Sequence, residues 1–118
     1  MKLELIEERR GVRFELDIQT DRIMLDVAKV AESLHKDKQP QIWMNKRSTP
    51  EFLDLTCKQM GCKPDRLVHK IHKVDGSVEL WLDAFVATEY LRWASDNLAN
   101  WFAEKINELI NDGTISCE

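Results

Sequence analysis

The chain lacks the features that mark several large classes of protein. No run of about 18 apolar residues occurs in its 118 residues, so the sequence predicts no membrane-spanning helix. The first eight residues mix apolar and charged side chains, so no secretory signal is expected. Internal repeats, low-complexity tracts and Gly/Ser linkers are also absent. With 43% hydrophobic residues, the chain is expected to form a single domain over residues 1–118.

Cysteine is scarce, and the chain has three of these residues, at positions 57, 62 and 117. An odd number at low density favours a reduced, cytoplasmic protein. Cys57, Cys62, His69 and His72 form a series that resembles a zinc site. Zinc sites usually use tighter pairs of ligands, and the two histidines would point to opposite faces of a strand, so no metal site is expected.

Motifs of common catalytic sites are missing. The sequence has no Gly-rich phosphate loop, no nucleophile elbow and no paired-carboxylate motif. Cys57 or Cys62 beside His69 would make a nucleophile pair without a third group to orient the histidine. The sequence therefore predicts neither an enzyme nor a bound cofactor.

Charge is distributed unevenly along the chain. Residues 1–34 hold 6 Lys/Arg and 8 Asp/Glu, residues 35–73 hold 9 and 4, and residues 74–118 hold 2 and 9. The net charges of −2, +5 and −7 add up to the overall −4. Only the middle third is positive, and local charge decides whether an acidic protein can bind an anion such as nucleic acid. A chance segregation of charge on a solvated surface is the competing interpretation.

The beginning of the chain predicts β-structure. Residues 2–8 mix apolar and acidic side chains, and residues 9–11 supply a turn. Residues 12–18 alternate with period two, which is typical of a half-buried strand. After a turn at residues 20–22, residues 23–25 are expected to form a returning strand.

Three short helices are predicted next. Asp26 is the expected N-cap for a helix over residues 27–35, and Pro40 can open a second through about Lys46. Ser48 or Thr49 is expected to cap a third, with residues 52, 53, 55, 56 and 60 on its inner face. Gly61 is a good stop for that helix.

The rest of the chain predicts a hairpin and two helices. An Asp-Gly pair at 75–76 joins the strands expected over residues 67–74 and 78–82. Asp83 is expected to cap a helix through Ala94, and Ser95 or Asp96 another through Asn111, ended by residues 112–113. The residues expected to fill the core between these helices are Phe85, Leu91, Leu98, Phe102, Ile106, Leu109 and Ile110.

Two short helices joined by residues 36–39 are typical of a helix-turn-helix, and the hairpin would be its wing. The second helix of such a motif enters the major groove, where Asn and Gln can pair with adenine, and Arg or Lys with guanine. Gln41, Asn45, Lys46 and Arg47 are the candidate groove-facing residues, whereas Trp43 is expected in the core. An ordinary polar helix surface is the competing interpretation.

Residues 43–49, Trp-Met-Asn-Lys-Arg-Ser-Thr, resemble the W-L-R-N-x-S-T signature of the KilA-N domain. They follow a helix entered at residues 23–26, which parallels the family's I-N-A-T entry. Downstream, residues 81–83 resemble W-V-H, and residues 91–99 resemble L-A-x-W-I-S-P-E-F-A. Three blocks in the family's order cover roughly residues 13–110.

This resemblance implies an α+β fold: a small winged helix-turn-helix-like domain, similar to the fungal APSES domain. Its elements would be an N-terminal β-hairpin, short helices, a β-hairpin wing and two C-terminal helices. It also implies a regulatory protein of phage or bacterial type that binds duplex DNA in a bacterial cell or an infected host. The DNA-facing elements would be about residues 40–47 and 68–82.

The chain departs from the family at several of these positions. Asn45 stands where the family carries Arg, and Lys46 where it carries Asn. Residues 36–39 replace the family's G-K pair, and Asp83 replaces its His. The patch remains cationic, but the family's sequence preference does not transfer.

The predicted DNA site combines these residues with cations of the hairpin. Six of its cations would neutralise phosphates, and the hydroxyls of Ser48 and Thr49 would donate to phosphate oxygens, although helix capping by itself explains these two residues. The expected DNA-binding residues are Lys36, Lys38, Gln41, Asn45, Lys46, Arg47, Ser48, Thr49, Lys70, His72 and Lys73.

The acidic segment, residues 74–118, is expected to face away from DNA. Its two helices would support the fold, or present the surface for a homodimer or a protein partner. A homodimer would suit paired half-sites. The alternative function is a protein-interaction module that uses the same fold and its acidic helical surface.

Overall fold

The fold is known from a computed structural model, which describes residues 1–19 and 22–112. The described strands form one antiparallel sheet with the order β1-β2-β3-β5-β4. Predictions for residues 20–21 and 113–118, which include Cys117, lie outside the described residues. The strands are β1 (Lys2–Glu7), β2 (Val12–Gln19), β3 (Arg22–Asp26), β4 (Val68–His72) and β5 (Val78–Asp83).

Six α-helices and one turn of 3-10 helix (Lys36–Lys38) accompany this sheet in the described part of the chain. The expected α+β class and the N-terminal hairpin are therefore confirmed. The helices are α1 (Val27–Ala31), α2 (Pro40–Met44), α3 (Ser48–Met60), α4 (Pro64–Leu67), α5 (Ala84–Ala94) and α6 (Asp96–Asn111).

Most of the predicted helix ends are confirmed by their cap geometry. Asp26 accepts a hydrogen bond from the N–H of Ala28 (3.1 Å), and Asp83 accepts one from Phe85 (2.9 Å). Ser95 caps α6 through the N–H of Leu98 (3.4 Å). Gly61 ends α3 with φ +65°, a left-handed conformation that a residue without Cβ adopts readily.

Helix α1 ends at Ala31, so the prediction that it reaches His35 was wrong. Beyond Ala31 the backbone tightens, and the N–H of Leu34 donates to the carbonyl of Ala31 three residues earlier. The side-chain amide of Gln39 donates to the carbonyls of Ala31, Leu34 and His35 at 3.1, 3.3 and 3.1 Å. These carbonyls therefore find a side-chain donor instead of the next turn of a helix.

The start of α3 also differs from the prediction. Arg47 occupies the cap position without a side-chain cap bond, so neither Ser48 nor Thr49 caps the helix. The Thr49 hydroxyl instead donates to the carbonyl of Trp43 (2.5 Å), in the buried interior. The Thr49 hydroxyl therefore contacts the preceding helix, α2, and does not form the predicted capping bond.

The β4–β5 hairpin does not stand apart from the sheet. Strand β5 pairs with β4 on one side and with β3 on the other, where Leu25 faces Leu82 and Asp26 faces Trp81. The N–H of Leu80 also donates to the Asp26 carboxylate (3.2 Å). The hairpin is thus continuous with the sheet, and β4 forms one of its edges.

The core lies between the sheet and helices α1, α5 and α6. The Phe14 ring stacks on Phe102 (5.6 Å between centroids), and the expected burial of Trp43 is confirmed at 6% exposure. Phe85 was predicted to be buried but is 52% exposed, with its ring against Phe52 (5.9 Å). Leu55 and Met60 were predicted on the inner face of α3, but both are exposed, at 57% and 49%. The prediction was therefore wrong for these two residues.

Across residues 1–19 and 22–112, no helix has both the length and the apolar composition needed to cross a bilayer.

Candidate nucleic-acid interface

Helix α2 is the centre of the candidate interface. Pro40 opens it, and Pro40 and Trp43 are its buried residues. The Trp43 ring contacts Tyr90 edge-on at 5.8 Å between centroids. Because α2 is anchored by these residues, Gln41 and Ile42 remain exposed on its outer side.

An open groove of about 420 Å³ separates α2 from the β4–β5 hairpin. Gln41 lines it from α2, Asn45 lines it from the residue that ends α2, and Lys70 lines it from β4. The tertiary structure therefore brings together three predicted site residues from two distant segments. The remaining lining residues are mostly apolar: Ala28, Ala31, Gln39, Pro40, Met44, Val68, Val78 and Leu80.

A second cluster, which shares no residue with the groove, gathers two of the predicted cations. The ammonium groups of Lys38 and Lys46 lie 4.8 and 5.8 Å from the centroid of the Trp93 ring. Both distances are within the range of a cation–π contact. We call Lys38, Lys46 and Trp93 the indole–lysine cluster.

Helix α5 fixes the backbone of this cluster as well. The Tyr90 hydroxyl donates to the carbonyl of Lys38 at 2.6 Å, and the Tyr90 ring lies 6.1 Å from that of Trp93. Burial raises the pKa of Tyr90, so its hydroxyl stays protonated and available as a donor. The position of Lys38 is thus tied to the buried part of α5.

The remaining predicted site residues differ in their exposure to solvent. Lys36, Arg47 and Ser48 are exposed near α2, and His72 is exposed on β4. Thr49 is only 2% exposed and its hydroxyl is bonded to Trp43, so its predicted phosphate contact finds no support in this geometry.

Lys73 is exposed at the end of the hairpin but carries a counter-charge. Its ammonium lies 2.7 Å from the carboxylate of Glu79, which also accepts from the indole N–H of Trp81 (3.0 Å). These two hydrogen bonds hold the pKa of Glu79 below its usual range, and the carboxylate in turn raises the pKa of Lys73. Lys73 is therefore already neutralised by its own hairpin.

Buried ionisable groups outside this interface act in the fold. Burial raises the pKa of Asp26 and of Asp83, both of which cap helices. Burial likewise raises the pKa of the Cys57 thiol, which disfavours the reactive thiolate. Within residues 1–19 and 22–112, no three His, Cys, Asp or Glu side chains are grouped as metal ligands.

Two residues outside the predicted set also belong to this surface. Ile42 is 44% exposed beside Gln41, although in the sequence it stands between Gln41 and the apolar Trp43, where no local signal marks it as exposed. In the sequence, Trp93 belongs to the block at residues 91–99 that resembles the KilA-N family. Its contact with two lysines joins segments about 50 residues apart, which no local pattern displays.

Comparisons of the chain with models of known protein families, with curated proteins and with solved structures found no match. The resemblance to the KilA-N domain, the homodimer and the protein partner of the acidic helices all stay predictions.

Proposed function

We propose that the chain is a KilA-N-like module that binds duplex DNA through α2, as part of a regulatory protein of phage or bacterial type. In this proposal α1 and α2 act as a helix-turn-helix pair, and the β4–β5 hairpin acts as the wing. One observation carries the proposal: exposed amide side chains, and cations from three segments of the chain, are grouped around one short helix.

The outer side of α2 suits the edges of base pairs. Gln41 and Asn45 are four residues apart, which places them on the same side of a helix. Their amides can pair bidentately with adenine, and the exposed Ile42 supplies an apolar surface for the methyl group of thymine. This combination favours A·T-containing sites.

The cations around α2 suit the phosphate backbone. Lys36, Lys38, Lys46 and Arg47 precede or follow the helix, and Lys70 faces it across the groove. Each phosphate that they neutralise releases counterions, so affinity should fall steeply as salt rises. The acidic α6 would face away from the duplex.

Fluorescence anisotropy with a labelled pool of duplexes tests the proposal at about 50 and 200 mM salt. The wild type should bind at the lower salt, and Lys46→Glu/Arg47→Glu should abolish this binding. Lys58→Glu/Lys63→Glu is the matched control, because Lys58 lies 11 residues beyond Arg47 along the chain, about 16 Å for a helical rise.

The control should retain most of the wild-type affinity, since it changes the net charge equally at the other end of α3. The proposal for this surface would be overturned if, at low salt, the wild type bound duplex no more strongly than Lys46→Glu/Arg47→Glu does. Selection of bound duplexes from the pool would then give the preferred site.

A further inference from the structure

The indole–lysine cluster concentrates positive charge at a fixed place. The ammonium groups of Lys38 and Lys46 lie 4.8 and 5.8 Å from the centroid of the same Trp93 ring. The sum of these two distances is the upper limit of the separation between the two charges. Two like charges within this limit repel each other, and the ring attracts each of them without neutralising either.

The cluster lacks the counter-charges that other lysines of the chain have. Lys58, Lys73 and Lys105 are paired with Asp54, Glu79 and Glu108. In the described part of the chain, neither Lys38 nor Lys46 has a carboxylate within ion-pair distance. An external anion can therefore approach these two ammonium groups without displacing an internal carboxylate.

Both lysines are also held at the backbone. The carbonyl of Lys38 accepts from the Tyr90 hydroxyl, and the N–H of Lys46 donates to the carbonyl of Trp43 (3.2 Å). Tyr90 and Trp43 are buried and in contact with each other. A free lysine loses much side-chain entropy when it binds, and a side chain already held against a ring loses less.

We propose that Trp93 is a positioning residue that holds Lys38 and Lys46 as a clamp for a backbone phosphate of duplex DNA. This inference rests on the proposed function and identifies where the DNA backbone is fixed relative to α2. Lys38 precedes α2 and Lys46 follows it, so a phosphate held by both sets the position of the helix that carries Gln41 and Asn45.

The test compares duplex binding by the wild type, Trp93→Leu and Trp93→Phe. Leucine keeps apolar packing against Tyr90 but removes the aromatic face, and we expect a loss of about 3- to 10-fold in affinity. The slope of affinity against salt should also fall by about 1, as expected for a lost phosphate contact. Phenylalanine keeps an aromatic face and should restore most of both quantities.

Two further variants separate positioning from general stability. Lys38→Gln/Lys46→Gln should weaken binding by a similar factor, and adding Trp93→Leu to it should cause no further loss. Lys105→Gln is the matched control, because Lys105 lies 5.7 Å from the Trp101 ring on the acidic α6 and should not affect binding. Urea unfolding confirms that each variant is folded.

The indole N–H signals in an NMR spectrum, assigned with Trp93→Phe, give a direct measurement. The Trp93 signal should move on titration with duplex, and this shift should disappear in Lys38→Gln/Lys46→Gln. Titration with inorganic phosphate should move it much less, which distinguishes the DNA backbone from the free anion.

Failure of the wild type to bind duplex would overturn the proposed function and the clamp together. If the wild type binds and Trp93→Leu matches it in affinity and salt slope, only the clamp is overturned. An equal shift of the Trp93 signal with inorganic phosphate would also overturn the assignment to a DNA phosphate.

Discussion

The ammonium group of Lys73 lies 2.7 Å from the carboxylate of Glu79, within a single β-hairpin. The same carboxylate accepts from the indole N–H of Trp81, so it is held in place from two sides. Lys73 is one of the predicted DNA-binding residues, and this pairing gives it a partner within the chain. The relationship makes Glu79 a competitor of any phosphate that approaches the hairpin.

On the proposed function, removal of the Glu79 charge should strengthen binding to duplex DNA. In Glu79→Gln, Lys73 is released and a repulsive carboxylate is lost, so affinity for duplex should rise about two- to fivefold at low salt, a small gain because exposed ion pairs are weak. Anisotropy titrations measure the gain. Lys73→Gln is the control: alone it leaves the Glu79 carboxylate unpaired and should lower affinity, and in the double variant it should bring affinity back to near the wild-type value. A gain in the double variant as large as that of Glu79→Gln would contradict this explanation.

Amide and cationic residues of the interface should have different effects on binding. Gln41→Ala/Asn45→Ala should lower the preference for a selected duplex over a scrambled one by about 1–3 kcal/mol per lost bidentate contact and leave the salt slope unchanged. Lys46→Gln should instead reduce the salt slope by about 0.9 on both duplexes. Equal losses on the two duplexes for the amide variant would exclude base reading by α2.

The Thr49 hydroxyl should contribute to stability rather than to DNA binding. Thr49→Val removes its hydrogen bond to the Trp43 carbonyl without changing side-chain volume, and should cost about 1 kcal/mol of unfolding free energy. Thr49→Ser should retain most of that bond. Ser48→Ala, at the exposed neighbouring position, should stay within about 0.5 kcal/mol of the wild type. Urea unfolding compares all three, and a larger loss at Ser48 would contradict the observed cap geometry.

Asp26 should affect stability in a pH-dependent way. Its carboxylate accepts from the N–H groups of Ala28 and Leu80, and Asp26→Ala leaves these donors without that partner, at a cost of about 1–3 kcal/mol. Asp26→Asn keeps an acceptor oxygen and should cost less. The difference in unfolding free energy between the wild type and Asp26→Asn, followed across pH, reports the titration of Asp26.

The sign of that titration follows from burial, which raises the pKa of Asp26 above its unfolded value of 3.8. Between the two pKa values the folded state binds more protons than the unfolded state, so this group's stabilising contribution is lost as pH rises through the folded pKa. Wild-type stability relative to Asp26→Asn should therefore decrease from about pH 4 upward. Urea unfolding of both proteins across this range measures it, and a relative increase would contradict the raised pKa.

Local chemistry explains which parts of the fold were predictable. Asp26, Asp83 and Ser95 were expected as N-caps because a short polar side chain before an apolar helix face satisfies the first free N–H groups. Gly61 was expected as a stop because it adopts positive φ without strain. Thr49 has the same capping chemistry, but a carbonyl of α2 lies within its reach, and that contact decided its orientation.

The sequence by itself determined the α+β class, most of the element order and the position of the positive third, since these depend on periodicity, caps and charge counts along the chain. Only the tertiary structure decided that β5 joins the hairpin to β3, that Lys73 faces Glu79 and that Lys38 and Lys46 share Trp93. Each of these depends on contacts between side chains or strands that the folded chain brings together. These contacts depend on how the whole core packs, so the order of neighbouring residues in the sequence does not predict them.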